Sequence, residues 1–408
     1  MTKLVTAILH SDRQQPDQYR AVHRPIHISS AYSYSDPADL IKVFQGGMTG
    51  YVYGRQGNPT SAGLETKVTL MEGGVASACF STGMAALTAS FLSLLKAGDH
   101  VVASTFLFGN TTSLLSTISA LGCEVSFVDA TDHANVQAAL RDTTRIVFVE
   151  TIANPCTQVS DLEGIGELCS ERGILYIVDN TLTSPYLFRP IEVKAGLVIN
   201  SLTKYICGHG NATGGAVTDT GMFDWKQFPN IYPNYRNTDE KLWGITQIRK
   251  KGLRDLGATL QAEAAHRIAI GAETLALRMD KTCMNAERLA LYFESHPAIT
   301  KVHYPGLQEH SQHQRARGLF KAFGGILSIE LNQNVDKLNF LRKLRIVICS
   351  SHLGDTRTLA IPVAETIYWE MGEQRRRSMG ISDALVRISV GIEDIDDLIA
   401  DFEQAFSS

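Results

Sequence analysis

Short apolar runs alternate with helical stretches through the middle of this chain. Several of the runs are apolar on both faces, without regular alternation with polar residues; the five runs are residues 100–105, 123–128, 145–150, 174–180 and 197–201. Continuous apolar strands are typical of a parallel sheet, because each crossover connection lays a helix on one face of it. The pattern therefore predicts an α/β domain with a large, mainly parallel sheet.

Helical stretches lie between these runs. Residues 84–95 are apolar with helical periodicity, and Gly98 stands where that helix would end. Residues 160–171 predict a second helix, which Gly173 would terminate in the same way. Strands that alternate with helices in this manner are the pattern of βαβ units, which supports a sheet covered by helices.

The rest of the chain divides around this region. Residues 1–55 have little periodicity and predict an N-terminal arm that lies on another surface, whereas residues 56–250 hold the predicted sheet. Residues 251–408 change pattern and predict a smaller α+β C-terminal domain. Within that domain we expect a long helical stretch at 255–287, a strand at 324–331 and a last helix at 393–406.

Length and charge agree with two domains and a small-molecule ligand. The 408 residues exceed the roughly 250–300 at which one hydrophobic core stops growing. Hydrophobic residues at 44% and charged residues at 20% are ordinary for a globular protein. Because 38 Lys and Arg oppose 42 Asp and Glu without a basic stripe, we expect no nucleic-acid partner.

Other classes of protein are also disfavoured. No apolar run reaches the roughly 18–20 residues of a membrane span, and the first twelve residues do not resemble a secretory signal. The seven cysteines are scattered without a CxxC pair, so neither a disulfide framework nor a metal site is predicted and a cytoplasmic location is expected. His23 with His27, and His310 with His313, have a spacing that metal ligands use, but no third ligand is near.

Two strand ends carry chemistry. Asp179 follows the strand at 174–178, and Lys204 follows the next one at 197–200, with Ser201 and Thr203 before it. Open α/β sheets bind ligands at the carboxyl ends of their strands. A carboxylate and a lysine flanked by hydroxyls suit pyridoxal phosphate, which has a basic ring nitrogen, a phosphate and an aldehyde. The alternative is that each residue is merely a solvated strand end or a helix cap.

A third strand end strengthens the first interpretation. Phe108 follows the strand at 101–105, and its ring could stack on a planar cofactor. Gly83 and Met84 open the helix at 84–95. A glycine at a helix start lets backbone N–H groups and the positive end of the helix dipole approach a phosphate.

Six ordered motifs resemble one family of enzymes. They are YVYGRQGNPT at 51–60, STGM at 81–84, ETIANP at 150–155, IVDNT at 177–181, SLTKYICGHG at 201–210 and VRISVGIED at 386–394. Together they resemble the Cys/Met-metabolism family of pyridoxal-phosphate enzymes, which includes cystathionine γ-synthase, cystathionine lyases, methionine γ-lyase and the O-acylhomoserine sulfhydrylases. The resemblance implies transferase fold type I, with a seven-stranded, mainly parallel sheet and a smaller α+β domain.

The resemblance also implies roles for individual residues. Lys204 would bind the cofactor as a Schiff base and move protons, and Asp179 would pair with the pyridine nitrogen. The remaining cofactor contacts implied are Gly83, Met84, Ser201 and Thr203 at the phosphate, Phe108 at the ring, and Tyr53 and Arg55 from the neighbouring subunit. The substrate contacts implied are Arg387, which would bind the α-carboxylate, with Asn154, Ser351 and Glu365. Tyr53 would also be catalytic, so that each active site is shared within a homo-oligomer, expected to be a tetramer built from dimers.

The chain departs from the family at three positions. The family usually carries tyrosine where this chain has Phe108, so the proton for the departing γ-group must come from Tyr53, Lys204 or the substrate itself. Methionine γ-lyases carry cysteine where this chain has Asn110, which disfavours a dedicated methionine degrader. Glu365 would repel a succinyl group and attract a cation, which raises L-canavanine as a substrate, although Glu365 could equally be a cap or form an ion pair.

The function expected is γ-elimination or γ-replacement on a γ-substituted L-amino acid, as in cystathionine γ-synthase and O-acylhomoserine sulfhydrylase. One alternative is a canavanine γ-lyase that releases homoserine and a hydroxyguanidine; another is a methionine or cystathionine lyase. A member that has lost catalysis is disfavoured, because Lys204, Asp179, Arg55 and Arg387 are all present. No metal, membrane or nucleic acid is expected to take part.

Overall fold

Two β-sheets organise the chain in the computed structural model, which describes residues 3–11, 19–237 and 239–407. The strands of the larger sheet are β1 Ala76–Phe80, β2 His100–Ser104, β3 Glu124–Val128, β4 Thr144–Glu150, β5 Leu175–Asp179, β6 Leu197–Asn200 and β7 Gly215–Asp219. Those of the smaller sheet are β8 Ile299–His303, β9 Ile326–Leu331, β10 Ile348–Cys349, β11 Leu359–Pro362 and β12 Leu385–Ser389. The two-domain α/β prediction is confirmed.

The larger sheet has the order β1-β7-β6-β5-β4-β2-β3. Strands β2 to β6 pair in parallel, and only β7 runs antiparallel to its neighbours β1 and β6. The central strands are buried on both faces: in β4, Val147 packs on one side of the sheet and Phe148 on the other. The continuous apolar runs in the sequence reflect this double burial.

Helices cover both faces of the larger sheet and one side of the smaller. They are α1 Leu4–His10, α2 Pro37–Gln45, α3 Pro59–Glu72, α4 Gly83–Leu94, α5 Gly109–Ala120, α6 His133–Ala139, α7 Leu162–Arg172, α8 Ser184–Leu187, α9 Trp243–Gln247, α10 Ala262–Glu273, α11 Leu275–Glu294, α12 His313–Leu319, α13 Lys337–Lys343, α14 Glu373–Ser378 and α15 Ile395–Ser407. Within the described ranges, no helix combines the length and the apolar character needed to cross a membrane.

The smaller sheet is mostly antiparallel, in the order β10-β11-β12-β9-β8. Only β10 and β11 pair in parallel. Its core is formed with α11 and α15, where the rings of Phe293 and Phe402 meet edge to face with centroids 4.9 Å apart. β12 lies in the middle of this sheet, so its five residues are all buried.

The long helix expected at 255–287 is wrong. The chain there leaves a π-helical turn at Ile248–Arg254, extends through residues 257–261, and then forms α10 and α11, which are separated at Thr274. Gly257, with a φ of 76°, precedes α10, and Thr274, with φ −103° and ψ 9°, lies between α10 and α11, so both interrupt a pattern that is otherwise apolar with helical spacing. The expected boundary after residue 250 falls inside that π-helical turn, and the smaller sheet begins only at residue 299.

The N-terminal part contains two short helices and little sheet. α2 begins at the cap Asp36 and ends at Gly46, whose φ of 78° is the left-handed conformation that glycine tolerates. An isolated bridge joins Ala31 to Tyr53. α2 buries none of its residues, and Phe44 is 68% exposed. Part of the expected arm, residues 12–18, lies outside the described residues.

Candidate active site

A cavity of about 450 Å³ opens where the two domains meet, at the carboxyl ends of the parallel strands. Its volume is in the range of small-molecule sites. Predicted residues that line it are Gly83, Met84, Phe108, Asn154, Asp179, Ser201, Thr203, Lys204, Ser351 and Arg387. A cavity of about 510 Å³ lies in the smaller domain beside His303 and His310, but none of the predicted site residues lines it.

One end of the cavity is the amino end of α4. The Thr82 hydroxyl caps this helix by accepting a hydrogen bond from the Ala85 N–H at 3.0 Å. A Cβ atom at Gly83 would lie 2.9 Å from the Ser201 Cβ, so only glycine lets the two segments approach so closely. Free N–H groups and the positive helix end favour an anion here, and phosphate is the anion that such helix starts bind.

The hydroxyls of Thr203 and Ser201 lie near this end of the cavity and differ in their hydrogen bonding. The Thr203 hydroxyl donates to the Gly214 carbonyl at 3.1 Å and accepts from the Gly214 N–H at 2.9 Å. Ser201, among the described residues, has no hydrogen bond from its hydroxyl, while its backbone N–H donates to the Thr181 hydroxyl at 2.8 Å. Ser201 is therefore free to bind a phosphate oxygen, and Thr203 has one lone pair left for the same purpose.

Lys204 follows β6 by four residues and its amine enters the middle of the cavity. Burial, with the nearby Arg387 guanidinium, lowers the pKa of Lys204 to about 8. The amine Nζ lies 3.4 Å from Nδ1 of His352. A lysine with a pKa this close to neutrality is partly uncharged at physiological pH, which is what attack on an aldehyde and proton transfer both require.

Two carboxyl groups lie side by side at the ends of the neighbouring strands β4 and β5. Asp179 ends β5 and Glu150 ends β4, and the two are register partners in the parallel sheet. Burial raises the pKa of both carboxyls, and for Glu150 the Asp179 charge raises it further. Asp179 accepts from the Thr181 N–H at 2.9 Å, whereas Glu150 accepts from the Phe108 N–H at 2.7 Å. Of the two, Asp179 has the geometry to stay ionised against a protonated ring nitrogen.

A buried glutamate is hydrogen-bonded to residues at the carboxyl ends of β5 and β6. Glu72, at the end of α3, accepts from the side-chain amides of Asn180 at 3.0 Å and Asn200 at 2.6 Å. These two asparagines adjoin Asp179 and Ser201 in the sequence. Burial raises the pKa of Glu72 to about 7, with the Asn180 and Asn200 hydrogen bonds opposing the shift.

Arg387, on β12, supplies the charge on the opposite side of the cavity. Only 1% of this residue is exposed, and burial lowers its pKa to about 10. Its Nη2 donates to the carbonyls of Ser351 at 3.0 Å and His352 at 2.8 Å, and Nη1 approaches Asn154 Oδ1 at 3.5 Å. Its Nε has no hydrogen-bond partner within the described part of the chain. A buried guanidinium with a free donor at a cavity wall is a site for a carboxylate.

Three predicted residues lie outside this cavity. Tyr53 is 45% exposed and Arg55 stacks over its ring, with 5.6 Å from the guanidinium carbon to the ring centroid, in a separate surface groove. Glu365 does not line the cavity either, and its carboxylate accepts from the amine of Lys337 on α13. The structure therefore brings neither a Tyr53 hydroxyl nor a Glu365 charge to Lys204 within one chain.

Among the cavity-lining residues that the prediction missed are Thr181, Glu150 and His352. Thr181 holds Asp179 and the backbone of Ser201, and Glu150 holds the backbone at Phe108. Both stand inside recognised motifs, so their positions after β5 and β4 could have revealed them. His352 lies in a loop after the two-residue strand β10, where no periodic pattern marks it.

The cavity thus fits a flat, anionic cofactor and an amino acid together. It offers an anion site at α4, a carboxylate at Asp179, an aromatic ring at Phe108 and an amine at Lys204. Arg387 lines the same cavity, and its Nε is a donor without a partner among the described residues. Pyridoxal phosphate needs the first four groups, and the α-carboxylate of an amino acid needs the fifth.

Comparisons of the sequence with known proteins agree with this donor set. The family model described as Cys/Met metabolism PLP-dependent enzyme matches residues 5–407. A sulfhydrylase of Fusarium oxysporum f. sp. lycopersici is 37% identical, over 98% of this chain and 96% of its own length. An O-acetyl-L-homoserine sulfhydrylase of Leptospira meyeri is 35% identical, over 99% of this chain and 96% of its own. An L-methionine γ-lyase of Fusobacterium nucleatum subsp. polymorphum is 36% identical, over 95% and 93%.

Solved structures agree as well. A Campylobacter jejuni protein assigned as an O-acetylhomoserine (thiol)-lyase has a TM-score of 0.95 at 30% identity and covers 100% of both chains. That structure contains a lysine joined to the cofactor as pyridoxyl-lysine monophosphate. A cystathionine γ-synthase of Xanthomonas oryzae pv. oryzae has a TM-score of 0.89 at 29% identity and covers 100% of this chain and 98% of its own.

Proposed function

The chain belongs to the Cys/Met-metabolism family of pyridoxal-phosphate-dependent enzymes, and we propose that it replaces or eliminates the γ-substituent of an L-amino acid, with an O-acylhomoserine and a sulfur nucleophile as the reactants. One observation carries this proposal: buried Arg387 and Lys204 line the same cavity, and the Arg387 Nε has no hydrogen-bond partner among the described residues. A carboxylate bound to Arg387 would hold the α-carbon of an amino acid beside the Lys204 amine.

The cavity residues would divide the cofactor between them. Backbone N–H groups at Gly83 and Met84, with the Ser201 hydroxyl, would hold the phosphate. Phe108 would cover one face of the ring, and Asp179 would accept a hydrogen bond from the ring nitrogen. Bound pyridoxal phosphate supplies an electron-withdrawing ring that stabilises negative charge at the substrate carbon.

Lys204 would perform the proton transfers. Its neutral amine can remove the proton at the substrate α-carbon and then one at the β-carbon, as departure of a γ-substituent requires. Because the pKa of Lys204 is about 8, the amine and the ammonium are both populated near neutral pH. Lys204 can therefore accept a proton and return it within one catalytic cycle, and Arg387 would keep the substrate fixed between the two transfers.

Apolar side chains favour an uncharged γ-substituent. Ile152, Leu182 and Ile367 line part of the cavity, and the ring of Phe108, which also lines it, brings no hydroxyl. An acetyl ester and a thiol or thioether suit such a wall, whereas a guanidine would need a carboxylate. The interpretation of Glu365 as a partner for canavanine loses its support, because that carboxylate is bound to Lys337 outside the cavity.

Product analysis tests the proposal. The enzyme loaded with pyridoxal phosphate is incubated with O-acetylhomoserine, O-succinylhomoserine, cystathionine, methionine or canavanine, each with and without a thiol, and the products are identified by mass spectrometry. We expect a thioether from O-acetylhomoserine and thiol, at a higher rate than any product from the other substrates. Homoserine formed from canavanine alone would overturn the proposed substrate and leave the γ-carbon chemistry in place.

We also propose a homo-oligomer with shared active sites, because Tyr53 and Arg55 match the family's inter-subunit pair but lie outside the cavity of their own chain. Four exposed apolar residues, Val22, Ile28, Ile41 and Phe44, surround this N-terminal region. Chains carrying Lys204→Ala and chains carrying Arg55→Ala should regain part of the lost activity when mixed oligomers form. Mixed oligomers that stay inactive would contradict sharing, and mixing two samples of the Lys204→Ala chain is the control.

A further inference from the structure

His352 is a cavity residue that the expected reaction does not use. It lies on the loop after β10, beside Ser351, and its side chain lines the cavity. Its backbone carbonyl accepts from Arg387 Nη2 at 2.8 Å, while its ring nitrogen Nδ1 lies 3.4 Å from Lys204 Nζ. One residue therefore touches both the carboxylate-binding arginine and the lysine.

The charges around the imidazole keep it neutral. Burial is the largest cause that lowers the pKa of His352, to about 4, and the positive Lys204 and Arg387 lower it further. Asp355, on the same loop, opposes the shift but is itself paired with Arg357 at 3.0 Å. Near neutral pH the ring is therefore an uncharged group that faces two cations.

A neutral imidazole beside Lys204 could accept a proton from it or accept a hydrogen bond from it, and these two roles differ in free energy. Moving a proton from Lys204, with a pKa of about 8, to His352, with a pKa of about 4, is unfavourable by about four pH units. His352 is therefore a poor store for the proton that Lys204 takes from the substrate. A hydrogen bond from the Lys204 ammonium to a neutral Nδ1 needs no such transfer and fits the geometry.

The second ring nitrogen supports a role at Lys204. Nε2 is buried and has no hydrogen-bond partner among the described residues. A buried polar atom without a partner reduces stability. Nε2 therefore contributes no hydrogen bond to the stability of the folded chain. The polar contact that the ring makes toward the site is the one between Nδ1 and Lys204 Nζ.

We propose that His352 is a positioning residue for Lys204, whose neutral Nδ1 accepts a hydrogen bond from the lysine ammonium and holds it beside Arg387. This inference rests on the proposed role of Lys204 in binding the cofactor. It assigns to the loop after β10 a task that the sheet does not perform, because β6 ends at Asn200, four residues before Lys204, and the end of the long lysine side chain needs a separate contact.

The test is the pH dependence of cofactor uptake. Full-length protein freed of cofactor is mixed with pyridoxal phosphate, and the rate of covalent attachment is followed by absorbance. Attachment requires the neutral Lys204 amine, so the pH of half-maximal rate reports its pKa. We expect this pH to lie near 8 in the unaltered protein.

Three substitutions separate the hydrogen bond from the bulk of the ring. Loss of an acceptor for a charged donor should lower the half-maximal pH by about one unit in His352→Leu. His352→Asn keeps an amide oxygen near the position of Nδ1 and should stay within a few tenths of a unit of the original value. His352→Gln places its amide beyond that position and should behave like His352→Leu. If His352→Leu does not fold, the Asn and Gln variants still decide.

The outcomes distinguish this inference from the proposed function. An unchanged half-maximal pH in His352→Leu and His352→Gln would overturn the role of His352 while leaving that of Lys204 intact. No covalent uptake by the unaltered protein would overturn the role of Lys204 itself. The matched control is His310→Asn, which changes another partly buried histidine with a pKa of about 4, in the other cavity, and should leave uptake unchanged.

Discussion

The two walls of the active-site cavity are built differently. On one wall, Asp179 ends the buried parallel strand β5, and Ser201 and Lys204 follow the neighbouring strand β6 by one and four residues. On the other, Ser351 and His352 lie in a loop, and Arg387 lies on a strand of the smaller sheet. The first wall carries the groups that a cofactor needs and the second those that an amino-acid substrate needs. Cofactor chemistry thus rests on the most regular part of the fold, and substrate choice on the less regular part.

The largest expected effect tests the first wall. Lys204→Ala removes the amine that we propose binds the cofactor and moves protons, so turnover should fall by about 10⁴-fold or more. The variant should keep its circular dichroism spectrum and melting temperature within a few degrees, because Lys204 borders a cavity. Lys281→Ala, which changes a partly exposed lysine on α11 outside the cavity, is the control. Retained turnover in Lys204→Ala would remove the basis of the division between the two walls.

A substitution on the second wall should weaken substrate binding and leave cofactor uptake unchanged. Arg387→Lys keeps a positive charge but loses the paired geometry of the guanidinium, so kcat/KM for O-acetylhomoserine should fall by about 10²-fold, mostly through KM. Cofactor uptake should stay unchanged, as measured by absorbance. Arg376→Lys, a buried arginine on α14 outside the cavity, is the matched control. A loss of cofactor in Arg387→Lys would show that the walls do not act separately.

Glu72, which accepts hydrogen bonds from Asn180 and Asn200 next to the first wall, should make the stability of the fold depend on pH. The pKa of Glu72 is raised to about 7 in the folded chain from an ordinary 4.5, so the folded state binds more protons than the unfolded state between these values. Stability contributed by Glu72 should therefore decrease as pH rises from about 4.5 to 7, by about 3 kcal/mol.

Glu72→Gln removes this titration and keeps an oxygen for the Asn180 and Asn200 amides. The free energy of unfolding, measured in urea from pH 5 to 8, should lose that part of its slope in the variant. Glu192→Gln, which changes an exposed carboxylate, should keep the slope. Equal slopes in Glu72→Gln and the unaltered protein would show that Glu72 does not titrate in this range.

The smallest expected effect is at the boundary of the two walls. Phe108→Tyr adds a hydroxyl without changing the ring, and the hydroxyl can donate to a departing γ-substituent. We expect turnover of O-acetylhomoserine to change by about two- to five-fold, with little change in cofactor binding. Phe106→Tyr, two residues earlier and outside the cavity, is the control. A change of 10²-fold would indicate that the missing hydroxyl limits the reaction.

The sequence was informative where regular structure carries chemistry. The strands that end at Glu150, Asp179 and Asn200 are buried on both faces, so their apolar runs and the polar residues after them could be recognised directly. The same reasoning failed at Thr274, where two helices of similar pattern join. Helical periodicity continues across such a break, because it reports which face is buried and not where the axis changes direction.

The substrate wall was harder to predict. Arg387 was identified through a motif, but no pattern marked His352, because a loop has no period and its contact with Lys204 spans 148 residues. Glu365 stood near the expected pocket in sequence and yet pairs with Lys337, since the direction of a side chain after β11 depends on neighbours that are distant along the chain. Tyr53 and Arg55 lie in a surface groove of their own chain, and a role in a neighbouring subunit's site depends on contacts between chains.

The order of the site residues along the chain has a consequence for synthesis. Gly83, Asp179, Ser201 and Lys204 are all translated within the first half of the protein, whereas Arg387 arrives near its end. Domains fold as units, the N-terminal one first during translation. The emerging larger domain can therefore capture its cofactor before the groups that select a substrate exist. Nascent chains stalled after the larger sheet should already bind pyridoxal phosphate covalently, without any capacity to turn over an amino acid.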